Sequence, residues 1–149
     1  MGLLEIVIEQ TNDKDKISLL KDFCESKLGK GVIKCGDTPG FLGNRVGVYA
    51  MQIAMTEAIK MNLSIEEADA VFGRPMGIPK TGVFALYDLI GIDLMSDVLK
   101  SFKKELSNND DFQKVVEGIP IIQKLIETGY TGRKGKGGFY RINKSDGKK

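Results

Sequence analysis

The chain has 149 residues, of which 42% are hydrophobic and 28% charged, enough for about one globular domain with its own core. Its 22 basic and 20 acidic residues leave a net charge of +2, which shows no overall bias toward nucleic acid or a membrane surface. Histidine and tryptophan are absent, so an imidazole base or ligand supplied by these residues is excluded. Cys24 and Cys35 stand far from any Cys-x-x-Cys spacing, and one disulfide would be a thin framework for a secreted protein. A reducing cytoplasm is the simpler setting. No apolar signal core follows Met1-Gly2, and the apolar run over residues 41–61 is interrupted by Asn44, Arg45, Gln52, Glu57 and Lys60. Neither a signal peptide nor a membrane span is expected.

Residues 3–9, Leu-Leu-Glu-Ile-Val-Ile-Glu, read as a strand closed by the turn Gln10-Thr11-Asn12-Asp13. Asn12 or Asp13 caps a helix carrying Ile17, Leu20, Phe23, Cys24 and Leu28, which Gly29 stops. Residues 31–35 form a second strand. Two parallel strands are marginal alone, so this strand, helix, strand unit resembles the end of a larger α/β domain. Its uncovered edges lead us to expect pairing across a dimer, packing back onto the rest of the chain, or partial disorder. Pro39 suits the first position of a long helix capped by Asp37 or Thr38 and running to Met61. Ser64 with Glu67 has the form of a capping box for a helix over residues 65–72. Residues 73–82 hold three glycines and two prolines in a short span and are expected to form a structured, irregular loop. Short helices follow over residues 83–90, then from a cap at Asp93 through Phe102, and from Pro120 to Gly129. The glycine loop 132–138 precedes Phe139-Tyr140 and a basic tail expected to fray.

Few residues carry a chemical signal of their own. Glu5 is a carboxylate inside an apolar strand, which either turns to solvent beside Glu9 or has a compensating partner. Asn44 lies among Phe41, Val46, Val48 and Tyr49, where an amide either ties two helices together or serves a ligand. Gly43 and Gly47 leave a shallow groove that more often means close helix packing. The loop 132–138 lacks the phosphate-loop spacing, and no Gly-x-Gly-x-x-Gly follows a strand. A solvated turn anchored by Phe139 and Tyr140 is the better reading.

Taken together, Leu3-Leu4-Glu5-Ile6-Val7, Asp37-Thr38-Pro39-Gly40-Phe41-Leu42-Gly43-Asn44-Arg45, Arg74-Pro75-Met76-Gly77, the run from Asp88 to Asp93 and the glycine-aromatic segment from Gly132 to Tyr140 closely resemble the C-terminal part of the 3-hydroxyacyl-CoA dehydrogenase family. The resemblance implies a mainly α fold, a helical domain like the C-terminal domain of 6-phosphogluconate dehydrogenase, preceded by a βαβ remnant of a Rossmann domain. It divides the chain into residues 1–37 of an NAD-binding domain, the helical domain 38–141 and a flexible basic tail 142–149. In the family, NAD exchanges hydride with the 3-carbon of a hydroxyacyl-CoA while a His, oriented by a Glu, takes the hydroxyl proton. Glu5 matches the orienting Glu and Asn44 matches the Asn that lines the substrate site. The family's His, its Ser and its dinucleotide-binding glycines would fall ahead of Met1.

The resemblance therefore implies a fragment of a β-oxidation dehydrogenase, inactive alone, binding acyl-CoA and forming a homodimer. It implies no tight NAD binding, and no metal is expected; the balanced charge and the interrupted apolar run lead us to expect no nucleic-acid or membrane partner. The missing NAD-binding half is one further partner. A fused enoyl-CoA hydratase domain is another, since residues 77–84 are longer than the Gly-Pro-Phe stretch of the short enzymes. The alternative is a non-catalytic helical acyl-CoA or protein-interaction module left by a split or decayed gene.

Overall fold

The structure is a computed structural model that describes residues 2–77, 80–116 and 119–141. Its order is β1 (Leu3–Val7), α1 (Lys14–Ser26), β2 (Gly31–Cys35), α2 (Gly43–Lys60), α3 (Ile65–Val71), α4 (Phe84–Ile90), α5 (Ile92–Glu105) and α6 (Pro120–Glu127). Two 3₁₀ turns, Arg74–Met76 and Asp111–Lys114, lie between these elements. The fold is mainly helical with one two-stranded sheet, the class the sequence indicates. It divides into two compact units between residues 48 and 49, a point inside α2.

In the first unit β1 and β2 run parallel, with Glu5 opposite Ile33 and Val7 opposite Cys35. Parallel pairing needs a crossover, and α1 supplies it. The start of α1 is set by Asp13, whose carboxylate accepts from the amides of Asp15 and Lys16 at 3.0 and 3.2 Å. Both strands are formed. Ile6, Cys24 and Val48 are buried, while Leu19, Leu20, Phe23 and Leu28 remain exposed on and beyond α1.

The start of α2 departs from expectation. Phe41 donates its amide to the Thr38 carbonyl at 2.9 Å, and Gly40 and Phe41 have φ of 75° and 50°. With proline second and a left-handed glycine third, residues 38–41 have the form of a type II turn. Two residues in left-handed backbone cannot belong to a right-handed helix, so α2 begins at Gly43 rather than Pro39. Neither Asp37 nor Thr38 caps it.

The second unit holds the larger core. Met55, Tyr87, Ile92 and Phe112 are almost wholly buried, and α5 packs against α4, α6 and the 3₁₀ turn at residues 111–114. The capping box at Ser64 is present in both directions, with Glu67 donating its amide to Ser64 and Ser64 to Glu67. Asp93 is not a cap: α5 starts from Gly91, and Asp93 in its first turn pairs with Lys134 at 3.0 Å. Bonded to that ammonium, its carboxyl titrates below the usual carboxylate range. Within residues 73–82, Arg74–Met76 make a 3₁₀ turn; Ile78 and Pro79 lie outside the described residues, as does the tail 142–149. No helix among the described residues is long and apolar enough to cross a membrane.

Gln52 and Tyr87 form a wholly buried polar pair, the amide nitrogen donating to the phenol oxygen. Burial raises the phenol's pKa well beyond its ordinary value, so the hydroxyl stays protonated. The Gln52 carbonyl oxygen has no partner among the described residues. Removing one member strands the other, so Gln52→Leu is expected to cost about 1–3 kcal/mol. Adding Tyr87→Phe then costs less than it does in the native background. A double-mutant cycle by urea unfolding measures this, and strictly additive losses would show that the two side chains do not act as a pair.

Candidate functional site

Glu5 is half-buried at the centre of β1. Its two carboxylate oxygens accept from successive amides at the start of α2: Leu42 N–H to Oε2 at 2.8 Å and Gly43 N–H to Oε1 at 2.9 Å. Leu42 is the residue whose carbonyl receives the first helical bond, from Val46 at 3.0 Å, and its own apolar side chain cannot cap. A strand residue 38 positions from Gly43 therefore caps the helix. This removes the reading in which Glu5 merely turns to solvent. The Cys35 sulfur lies 3.8 Å from Oε2 and also 3.8 Å from the Ile6 carbonyl. Burial first, then the charge of Glu5, pushes the Cys35 thiol above its usual value, so it remains an S–H donor at neutral pH.

Asn44 is the second residue of α2 and is exposed. Its carboxamide has no hydrogen-bond partner among the described residues, so it does not tie two helices together. The structure thus brings a carboxylate and a free carboxamide to one helix start. The arrangement can hold and orient a polar group. It supplies no proton-accepting imidazole, since the chain has none.

Two further carboxylates do comparable work in the second unit. Asp69, from α3, accepts from the amides of Phe84 and Ala85 at 2.7 and 2.9 Å and so caps α4, whose preceding Val83 cannot. Asp88 accepts from Phe139 and Tyr140 amides at 2.9 and 2.8 Å, and the Tyr140 hydroxyl donates to Asp69 at 2.9 Å. Burial, then the bond to Asp69, raises the Tyr140 hydroxyl's pKa beyond its ordinary range. Phe139 meets Phe84 edge-on at 4.9 Å between centroids. The aromatic pair does anchor the end of the described chain.

A family model described as the 3-hydroxyacyl-CoA dehydrogenase C-terminal domain matches residues 40–142. The chain belongs to the 3-hydroxyacyl-CoA dehydrogenase family. A Rickettsia prowazekii protein provisionally named a fatty acid oxidation complex trifunctional enzyme is 42% identical over all 149 residues, and the chain spans 21% of that relative's length. An uncharacterised Rickettsia conorii protein is 38% identical over 116 residues, covering 78% of this chain and 72% of the relative. Among solved structures, the (S)-3-hydroxybutyryl-CoA dehydrogenase PaaH1 from Ralstonia eutropha is 26% identical with a TM-score of 0.76, covering 97% of this chain and 48% of that one.

The family implies NAD, and the β1–α1 turn is where a strand-to-helix phosphate site would be sought. Its residues do not fit. The turn Gln10-Thr11-Asn12-Asp13 contains no glycine to let a pyrophosphate approach the backbone. The Asp13 carboxylate already occupies the amides of Asp15 and Lys16 that an anion would need. Glu9 puts a carboxylate into the open cleft of about 460 Å³ beside this turn, where Lys14 and Lys34 are the cations.

Proposed function

We propose that the chain is part of an NAD-dependent 3-hydroxyacyl-CoA dehydrogenase of fatty-acid β-oxidation, contributing substrate-site and dimer surfaces to the conversion of 3-hydroxyacyl-CoA to 3-oxoacyl-CoA. The observation that carries this reading is the bond from Gly43 to Glu5, because it brings the carboxylate to the residue immediately before Asn44. Glu5 orients an imidazole supplied from outside these residues, and Asn44 lines the substrate site with its free carboxamide. NAD is held by the family's N-terminal domain. Residues 1–37 belong with that domain and residues 38–141 form the helical domain, a division supported by the family match beginning at residue 40. Exposed Val46, Ile53, Ile59 and Met61 on and just beyond α2 support a homodimer. Both cysteines are free, which suits the cytoplasm.

Without an imidazole base, the purified chain is expected to produce no NADH from NAD and 3-hydroxybutyryl-CoA while still binding the thioester. Asn44→Ala weakens that binding by up to about tenfold, the worth of one neutral hydrogen bond. Substantial NADH would overturn the assignment of inactivity, and no binding by calorimetry would overturn the substrate-site role.

The short Rickettsia conorii relative favours a second reading, a non-catalytic helical module. Binding of 3-hydroxybutyryl-CoA separates the two in part, since a module kept for protein contacts has no reason to retain Asn44 in a binding-competent place.

A further inference from the structure

Glu5 is engaged before any imidazole reaches it. Both oxygens carry a backbone N–H, and the Cys35 thiol adds a weak donor on Oε2. A carboxylate offers about four acceptor directions, so capacity for one more donor remains. The approach is close enough to constrain its neighbour. A Cβ built on Gly43 would lie 2.6 Å from Glu5 Oε1 and 3.3 Å from Leu3 Cδ2. The carboxylate is the flexible end of its side chain, so a methyl group there would push it off the two amides rather than move the backbone.

We propose that Glu5 and Gly43 are positioning residues for Asn44. The carboxylate laid across the first amides of α2 fixes where the helix starts, and therefore where the Asn44 carboxamide is held. Gly43 is the residue whose missing side chain permits that contact. The inference rests on Asn44 serving the substrate site, and it gives Glu5 a task that needs no imidazole. Three observations support it: Leu42 cannot cap α2, neither Asp37 nor Thr38 does so, and Asn44 has no side-chain bond among the described residues to place it by other means. Asp69 shows the same device at α4, a carboxylate from another element bridging two successive amides.

The test is amide hydrogen exchange and ¹⁵N spectra of the full chain, with 3-hydroxybutyryl-CoA titrations, for Glu5→Gln, Gly43→Ala, Asn44→Ala and the Glu5→Gln/Asn44→Ala double variant. Glu5→Gln and Gly43→Ala are expected to speed exchange at Leu42 and Gly43 about tenfold or more, with α5 unchanged. The Asn44 backbone and carboxamide resonances move with them. Each weakens thioester binding as Asn44→Ala does, and the double variant is no weaker than Asn44→Ala alone. Unchanged exchange or unmoved Asn44 resonances would overturn the clamp, and additive binding losses would overturn its action through Asn44. If the native chain binds no thioester, the substrate-site reading falls by itself, and the exchange and resonance data still decide the clamp.

Discussion

Replacing Asp88 by alanine is expected to cost about 2–5 kcal/mol, because two amides then lose a charged acceptor at once. Asp88 is only 4% exposed and sits in α4, while its partners Phe139 and Tyr140 come from the end of the described chain. The Asp88 carbonyl, which accepts from Arg133 at 2.9 Å, is untouched by the substitution, so the loss reads the side chain alone. Asp88→Asn keeps one acceptor oxygen and turns a donor toward the other amide. It should therefore cost a substantial part of the alanine value rather than restore stability. Urea unfolding measures both, and a loss below about 1 kcal/mol for alanine would show that these bonds add little over water.

Phe112→Ala is expected to cost about 3–5 kcal/mol, the range for removing a buried phenylalanine. The ring is 2% exposed, lies edge-on to Phe102 at 5.2 Å and stands 6.4 Å from Tyr49. It belongs to a four-residue 3₁₀ turn whose entry is fixed by Asp110, which accepts the Phe112 amide at 2.9 Å. So short a turn has little stability of its own, and the ring is what ties it to α5. Phe112→Leu, which retains most of the apolar volume, should lose much less. Near-equal losses for leucine and alanine would mean that aromatic geometry, rather than filled volume, holds this corner.

The acyl-CoA experiments bear on a different level. Asn44 is an exposed residue near a helix start, so its removal should leave stability nearly unchanged while lowering affinity. That separation distinguishes it from Asp88 and Phe112, whose loss weakens the fold first.

Local signals in the sequence determined much of what is seen. Asp13 and Ser64 act as the caps their positions suggest, since a cap needs only a short side chain and amides two or three residues away. The parallel strands and the crossover helix follow from hydrophobic spacing and from Gly29. The motifs from Glu5 through Tyr140 were sufficient for the family, which the match over residues 40–142 shows. The turn at residues 38–41 was legible too, in the dipeptide Pro39-Gly40. Reading Pro39 as a helix start missed it, because a proline at a helix's first position and one at a turn's second share nearly the same φ.

Only the tertiary structure decided which carboxylates serve which amides. Glu5 reaches Leu42 and Gly43, Asp69 reaches Phe84 and Ala85, and Asp88 reaches Phe139 and Tyr140, across separations of 15 to 52 residues. No periodicity encodes such a pairing. It depends on where packing leaves an unsatisfied helix start or loop amide beside an acidic side chain from another element, and a buried amide left alone would be costly. The sequence by itself thus determined the family and most elements, through bonds that close within a few residues. The place of Glu5 came from its bonds to Leu42 and Gly43, contacts that exist only once the chain has folded.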